Sequence, residues 1–470
     1  MHGCRLNLGE TLRRNRWLFL LLAASLAIHF LLLIPALKDS SRLFVWADSS
    51  CYESLALNML SGNGYSLARA SPYEPNSTMV PGYPLFIAGI YAVFGQSPYA
   101  VVIIQVILSL ALIAGLMWCG IRQFSKKAGI IAGILLLLNL CLAFYSTQIM
   151  TDVLFLAFLL PGLWLVFRLF QGYRPICSGL GAGLLLGLGA LTRPIGLYFP
   201  LILAFLFFIK PFGKPGRSRL FGYGALLLVC IAVVSPWFIR NRVVFGHFFF
   251  STVQSFNLSH IHAAPIKASI EGKTVYEAEA DLERAAFARY GEPCNEAEGF
   301  IFTGREAVRY ILKHPGRYTV LYAAGVAKTL LPLGFAEFLL FYASPEQGIR
   351  NLTPPVQKAI LKGDVREALR VIWQERIAPT GWVFVVYVLG LLFNIFIIVL
   401  AIKGFVKKGF RSPFNLLAFI VAIYFLGVTG PAGQPRHFLP LLPLAALLAA
   451  HGLAIGIPSE AKSPPHDTPS

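Results

Sequence analysis

The chain has 470 residues, of which 56% are hydrophobic and 13% charged; its mean hydropathy is +0.67, whereas soluble domains are about 45–50% apolar. The net charge of +18 invites a nucleic-acid reading. The basic residues, however, stand in short clusters between apolar runs, which is the positive-inside pattern of a membrane protein and not a phosphate-binding groove.

Composition therefore predicts an all-α, polytopic transmembrane bundle of about 10–12 spans, with short helices in its outer loops. The basic N-terminus MHGCRLNLGETLRRNR leads into WLFLLLAASLAIHFLLLIPAL at 17–37. That run has no small-residue cleavage site, so it reads as a retained span and not as a signal peptide. Further spans are predicted at 98–120, 128–145, 150–170, 177–192, 195–211, 219–239, 381–402, 412–430 and 437–456. The run GLGAGLLLGLGA at 179–190 suits close helix packing. No strand precedes it, so it is not a phosphate loop.

A cytoplasmic N-terminus (1–16) puts the basic clusters on one side: Arg5, Arg13, Arg14 and Arg16; Arg122, Lys126 and Lys127; Arg168 and Arg174; Lys210, Lys214, Arg217 and Arg219; Lys403, Lys407, Lys408 and Arg411. An N-terminal membrane module then covers 17–240, with an outer loop at 38–97. A larger outer region covers 241–380, a C-terminal membrane module 381–456, and a disordered cytoplasmic tail 457–470. Within the outer region, 300–312 reads as an amphipathic surface helix. Residues 317–343, interrupted by Lys328, Pro332 and Glu337, read as a membrane-lying or re-entrant segment, because a single crossing there would break the charge rule.

This topology gathers polar groups at one rim. Asp48 follows the first span, Asp152 starts the fourth, Arg193 ends the fifth, Trp237, Arg240 and Asn241 end the seventh, and Arg436 and His437 open the last. Ionisable residues at membrane depth usually mark a site. Either aspartate could instead cap a helix, and the arginines could reach to lipid headgroups. Acids and arginines together at the mouth of an apolar bundle suit transfer of a sugar from a lipid phosphate. Phosphate leaves with positive charge alone to stabilise it, arginine supplies that charge and stays ionised, and one carboxylate deprotonates the acceptor. A base opposite the leaving group gives inversion.

These residues resemble the GT-C superfamily of membrane glycosyltransferases, in particular its protein O-mannosyltransferase and lipid A aminoarabinose transferase branch. The resemblance rests on Asp48 with Tyr52, GNGYS at 62–66, VPGYPLFIAGIYAVFG at 80–95 with Tyr83, TDVLF at 151–155, LTRP at 191–194, PWFIRN at 236–241 and RHFLPLLPLAALLAAHGL at 436–453. It implies a polyprenyl-phosphate sugar donor and a glycan, lipid or protein acceptor. Asp48 and Asp152 would be the site acids, and Arg193, Arg240 and Arg436 the phosphate ligands. Tyr52, Tyr83, Trp237, Asn241 and His437 are the expected substrate contacts. The mannosyltransferases carry an Asp-Glu pair where Asp48 is here followed by Ser49, which argues against protein O-mannosylation itself.

No cofactor is expected. Asp48, Asp152 and His437 could hold a divalent metal, but their spacing does not demand one. His260 and His262 could do so only in an extended segment. Cys51 and Cys294 could pair or stay free. The partners are membrane lipid, lipid-linked donor and acceptor, without nucleic acid. The expected place is a bacterial inner membrane, with the site facing the periplasm. A transporter or flippase for lipid-linked glycans, or a polymerase of them, is the competing reading; no internal repeat between halves favours it.

Overall fold

The basic-flanked apolar run at the start folds as one helix, Arg16–Lys38 (α1), in a computed structural model that describes residues 16–44, 46–208, 216–331, 353–374 and 382–454. Predicted features at 1–15, 332–343 and 457–470 lie outside the described residues. The outer loop expected at 38–97 contains two helices, Ala47–Leu60 (α2) and Gly82–Phe94 (α3). The bundle continues with Pro98–Gln123 (α4), Lys126–Leu138 (α5), Cys141–Ser146 (α6), Asp152–Phe170 (α7), Pro175–Thr192 (α8) and Arg217–Phe245 (α9).

An outer segment follows. Its elements are Val253–Asn257 (α10), a π-helical turn at Leu258–Ala263, Ala264–Glu271 (α11), Val275–Tyr290 (α12), Glu296–Lys313 (α13) and Pro315–Leu330 (α14), then Thr353–Leu361 (α15) and Val365–Ile372 (α16). Trp382–Lys408 (α17), Pro413–Thr429 (α18) and Leu442–Ala454 (α19) complete the bundle. The amphipathic stretch expected at 300–312 lies within α13, whose start is capped by Asn295. A Thr274–Glu277 capping box starts α12.

Among the described residues seven helices are long and apolar enough to cross a membrane. The other three predicted spans are not single long helices. The run at 128–145 breaks at Asn139 and Leu140, the latter at φ 55°. The run at 195–211 becomes short helical turns at Pro194–Gly196, Phe199–Ile202 and Leu203–Phe208, because Pro194 and Pro200 remove backbone donors. The last run forms a separate turn, Pro435–Phe438, and helix only from Leu442; Pro440 and Pro443 punctuate it.

One apolar core joins Leu21, Leu116, Phe155, Leu186, Phe425 and Leu447 across the bundle. A smaller one lies under α2 and α3 around Tyr83, Ile87, Val102 and Ile149. The outer segment has its own core at Ala263, Ala268, Leu282 and Ala307. The glycine-rich run works as expected: Gly179 and Gly183 of α8 press on the carbonyls of Gly222 and Leu226 in α9. Near the rim, a Cβ at Gly82 would stand 2.6 Å from the Leu191 carbonyl, so α3 abuts the end of α8 just before Arg193.

We expect Gly179→Ala to destabilise the protein by about 1–3 kcal/mol, as overpacking against backbone does. Gly224→Ala, with nothing within 4 Å of the added Cβ, should not lower stability. Thermal unfolding in detergent distinguishes the two.

Candidate active site at the rim of the bundle

Two ion pairs organise the rim. Asp152, the first residue of α7, pairs through Oδ1 with Nη1 of Arg193 at the end of α8. The Asp152 side chain is 0% exposed and Arg193 12%. The Arg193 guanidinium also lies 5.7 Å from the centre of the Phe155 ring. The second pair joins Asp48, in the first turn of α2, to Arg436 in the turn before α19. Arg436 Nη1 donates to Asp48 Oδ2 at 3.4 Å. Here the carboxylate is 38% exposed and the arginine 17%. Neither aspartate is an N-cap: Trp46 and Thr151 hold those positions, and neither caps with its side chain.

The electrostatics link these pairs into one locale. Burial alone would lower Arg436, but the carboxylates of Asp48 and then Asp152 outweigh it and hold the guanidinium above its ordinary value. Tyr52 is pushed up, chiefly by burial and then by Asp48, so it stays a neutral phenol. His437 is pushed well below its ordinary value by burial and by Arg436 and Arg193. Its imidazole is neutral, and Nδ1 faces the Gln434 N–H at 3.3 Å.

A polar scaffold beneath positions these groups. Tyr52 meets Tyr83 edge to face at 5.0 Å. The fully buried Tyr83 donates to Gln105 Oε1 at 2.6 Å. Gln105 Nε2 in turn donates to the carbonyls of Ser146 (3.1 Å) and Gln148 (2.6 Å), fixing the loop that leads into Asp152. The Ile149 N–H donates to the Leu43 carbonyl at 2.9 Å, tying that loop to the approach to α2. His29, buried in α1, reaches the hydroxyls of Ser146 (2.8 Å) and Ser109 (2.9 Å).

The remaining expected residues form a neighbouring clamp. Arg240 lies over Tyr65, Trp237 and Phe245 at 5.5, 4.8 and 5.1 Å, and its Nη1 donates to the Asn76 carbonyl at 3.0 Å. Trp237 Nε1 donates to the Phe250 carbonyl at 2.9 Å. Asn241 donates to the carbonyls of Phe249 and Phe250 at 3.0 and 3.1 Å and accepts from Arg240. These polar atoms hold the backbone at Asn76, Phe249 and Phe250 against the exit of α9, and the Tyr65 ring of GNGYS packs on Arg240 and Trp237, so the chain uses them on itself. Glu296 Oε2 completes the clamp, accepting from Ser77 N–H and Oγ at 3.2 and 2.9 Å.

Sequence reading passed over Gln105, Trp46 and Gln148. A glutamine inside an apolar run was the available signal for Gln105, and Trp46 and Gln148 each stand within four positions of a site aspartate.

Among the described residues no group of three or more His, Cys, Asp or Glu could hold a metal ion. His260 and His262 lie in the helical turn, not in an extended segment, and have separate partners: His260 stacks on Phe256 at 3.9 Å and His262 faces the Tyr318 hydroxyl at 3.3 Å. Cys51 and Cys294 are both free thiols. Between α12 and α13 a cleft of about 630 Å³ is lined by residues that include His260, Glu279, Glu283, Glu296, Phe287 and Phe300.

Residues 75–239 match the family of dolichyl-phosphate-mannose-protein mannosyltransferases. Among solved structures, the oligosaccharyltransferase of Archaeoglobus fulgidus tethered to an acceptor peptide aligns with a TM-score of 0.52 at 14% identity, over 95% of this chain and 50% of that one. Its apo form gives 0.50 at 15%, over 93% and 50%. The fold is that of the GT-C membrane glycosyltransferases. The chain described here spans about half the length of the archaeal protein. ArnT of Cupriavidus metallidurans bound to undecaprenyl phosphate aligns with a TM-score of 0.42 at 15%, over 93% of this chain and 78% of that one. No curated protein matches in sequence.

Two stability outcomes follow. Asp152→Asn leaves Arg193 buried without its counter-ion and should cost about 3–5 kcal/mol, whereas Asp48→Asn, at a half-exposed pair, should cost about 1 kcal/mol or less; thermal unfolding in detergent measures both. Burial lowers His262 from 6.5 to about 4. The unfolded chain therefore binds a proton that the folded one refuses, and the fold loses stability as pH falls from 6.5 towards 4. Replacing His262 with Gln should flatten this dependence by up to about 3 kcal/mol, read as the pH dependence of unfolding against wild type.

Proposed function

We propose that this chain is an inverting glycosyltransferase, moving a sugar from a polyprenyl-phosphate donor to a glycan, lipid or protein acceptor at the rim where Asp48 lies. The observation that carries the reading is the Asp48–Arg436 pair: a carboxylate 38% exposed beside an arginine 17% exposed, at the mouth of an apolar bundle. Asp48 is the base. Of the two acids it alone is open to an acceptor, since Asp152 is buried and committed to Arg193. Accepting the hydroxyl or amine proton on a carboxylate oxygen sharpens the nucleophile as it attacks the anomeric carbon. The sugar–phosphate bond breaks on the opposite face, and the departing phosphate needs no proton, only fixed positive charge.

Arg436 supplies that charge. Arg193 adds to the field, but its pairing with Asp152 makes it chiefly a strut that holds the ends of α7 and α8. Arg240 acts by holding the GNGYS loop. The neutral His437 contributes hydrogen bonding without charge. The lipid tail would lie between apolar helices, and the cleft between α12 and α13 would select the acceptor. The family matched over 75–239 is named for a lipid-phosphate sugar donor, which supports the reading. The basic clusters favour an extracytoplasmic site, and a bacterial inner membrane is the proposed location.

Asp48→Asn should lower turnover by about 10²-fold or more at unchanged abundance. Mass spectrometry of envelope glycans should then show loss of one sugar and accumulation of its polyprenyl-phosphate form. Unchanged glycans and lipid-linked sugars would sink the reading.

A further inference from the structure

The rim contains buried polar atoms that no protein group satisfies. They include two donors, Trp46 Nε1 and Arg436 Nε, and two acceptors, Asp152 Oδ2 and Gln148 Oε1. Buried N–H groups are normally paired, and each exception calls for an explanation. The indole and guanidinium nitrogens can only donate. The two donors belong to side chains in contact: the Arg436 guanidinium carbon lies 5.9 Å from the centre of the Trp46 ring. Asp48 engages Arg436 only through Nη1, at 3.4 Å, so the Nε edge is uncommitted. Of the unsatisfied acceptors, Asp152 Oδ2 and Gln148 Oε1 belong to the α7 side, and Gln434 Oε1 stands two residues before Arg436. The orientation of Gln148 follows from its neighbour: Thr147 Oγ1 already donates to the Phe144 carbonyl at 2.8 Å, so it accepts from Gln148 Nε2 and leaves Oε1 unmatched.

We propose that Trp46 is a phosphate ligand, its indole N–H and the Arg436 Nε–H forming a two-donor cradle for the anionic end of the lipid-linked donor. This rests on the glycosyltransferase reading above and adds to it a residue outside the charged set. An anion that offers only acceptors matches two buried donors beside a fixed positive charge. It does not match the α7 side, where Asp152 Oδ2 and Gln148 Oε1 would repel it; hydroxyl groups suit those atoms. The indole is also chemically suited to the position: as the residue before α2 it has an apolar body for the membrane interface and one polar handle. Binding in the cradle draws Arg436 towards phosphate and away from Asp48, so donor occupancy frees the base for the acceptor.

The test uses the full chain in lipid nanodiscs, titrated with undecaprenyl phosphate and, separately, with undecaprenol. Trp46→Phe keeps the ring against Arg436 and removes only the N–H. It should weaken undecaprenyl phosphate about tenfold, the loss expected for one hydrogen bond to a charged group. Undecaprenol binding and the unfolding temperature should not change. Inorganic phosphate should compete with the lipid in wild type, and about tenfold less well in the variant, which places the effect on the anion and not on the tail. Equal affinity of wild type and Trp46→Phe for undecaprenyl phosphate overturns the cradle and leaves the glycosyltransferase reading standing. Failure of the wild type to bind undecaprenyl phosphate at all overturns both.

Discussion

Charge at the edge of a low-dielectric bundle must be paired or it is expelled, and this rim is built around that constraint. Asp152 is fully buried, yet it remains beside Arg193 because each neutralises the other. The pair joins the start of α7 to the end of α8 and so fixes the heights of both helices at the rim. Asp48 and Arg436 obey the same rule less completely. Their contact is longer and partly exposed, so the carboxylate keeps access to water. One pair is closed off and the other is open to solvent, and burial makes the difference.

The bundle beneath serves to hold these four groups still. Glycines of α8 let α9 approach until backbone meets backbone, and Gly82 lets α3 abut the last turn of α8. Contacts run from Tyr52, four residues after Asp48, through Tyr83 and Gln105 to the loop before Asp152, all of them through neutral groups. A neutral relay suits such a site, since it transmits position without adding charge that would have to be paired in turn. The Arg240 clamp does comparable work beside the GNGYS loop, using aromatic faces to shield a cation whose Nη1 donates to Asn76 and Asn241.

Much of the fold was legible in the chain. Long apolar runs with basic ends became helices because each closes its own backbone hydrogen bonds in lipid. The runs did not form single helices where proline or a left-handed residue intervened: at Leu140, across Pro194 and Pro200, and before Leu442. A hydropathy sum weighs side chains and overlooks missing N–H groups. The two ion pairs join residues that the sequence singles out, since charge near membrane depth is rare. Their division of labour was not legible. Arg193, Arg240 and Arg436 look alike in sequence, yet one braces an acid, one clamps a loop and one faces Asp48.

The sequence by itself determined that this is a helical membrane protein and which apolar runs have basic ends, and it singled out acids and arginines at other helix ends. Those properties are sums over neighbouring residues. Only the tertiary structure decided that Asp48 meets Arg436 across 388 positions, that Asp152 is closed off while Asp48 is open, and that Trp46 and Gln148 carry unmatched polar atoms beside them. Partnership and exposure depend on which helices pack together and how deeply, and no local pattern of residue types encodes that.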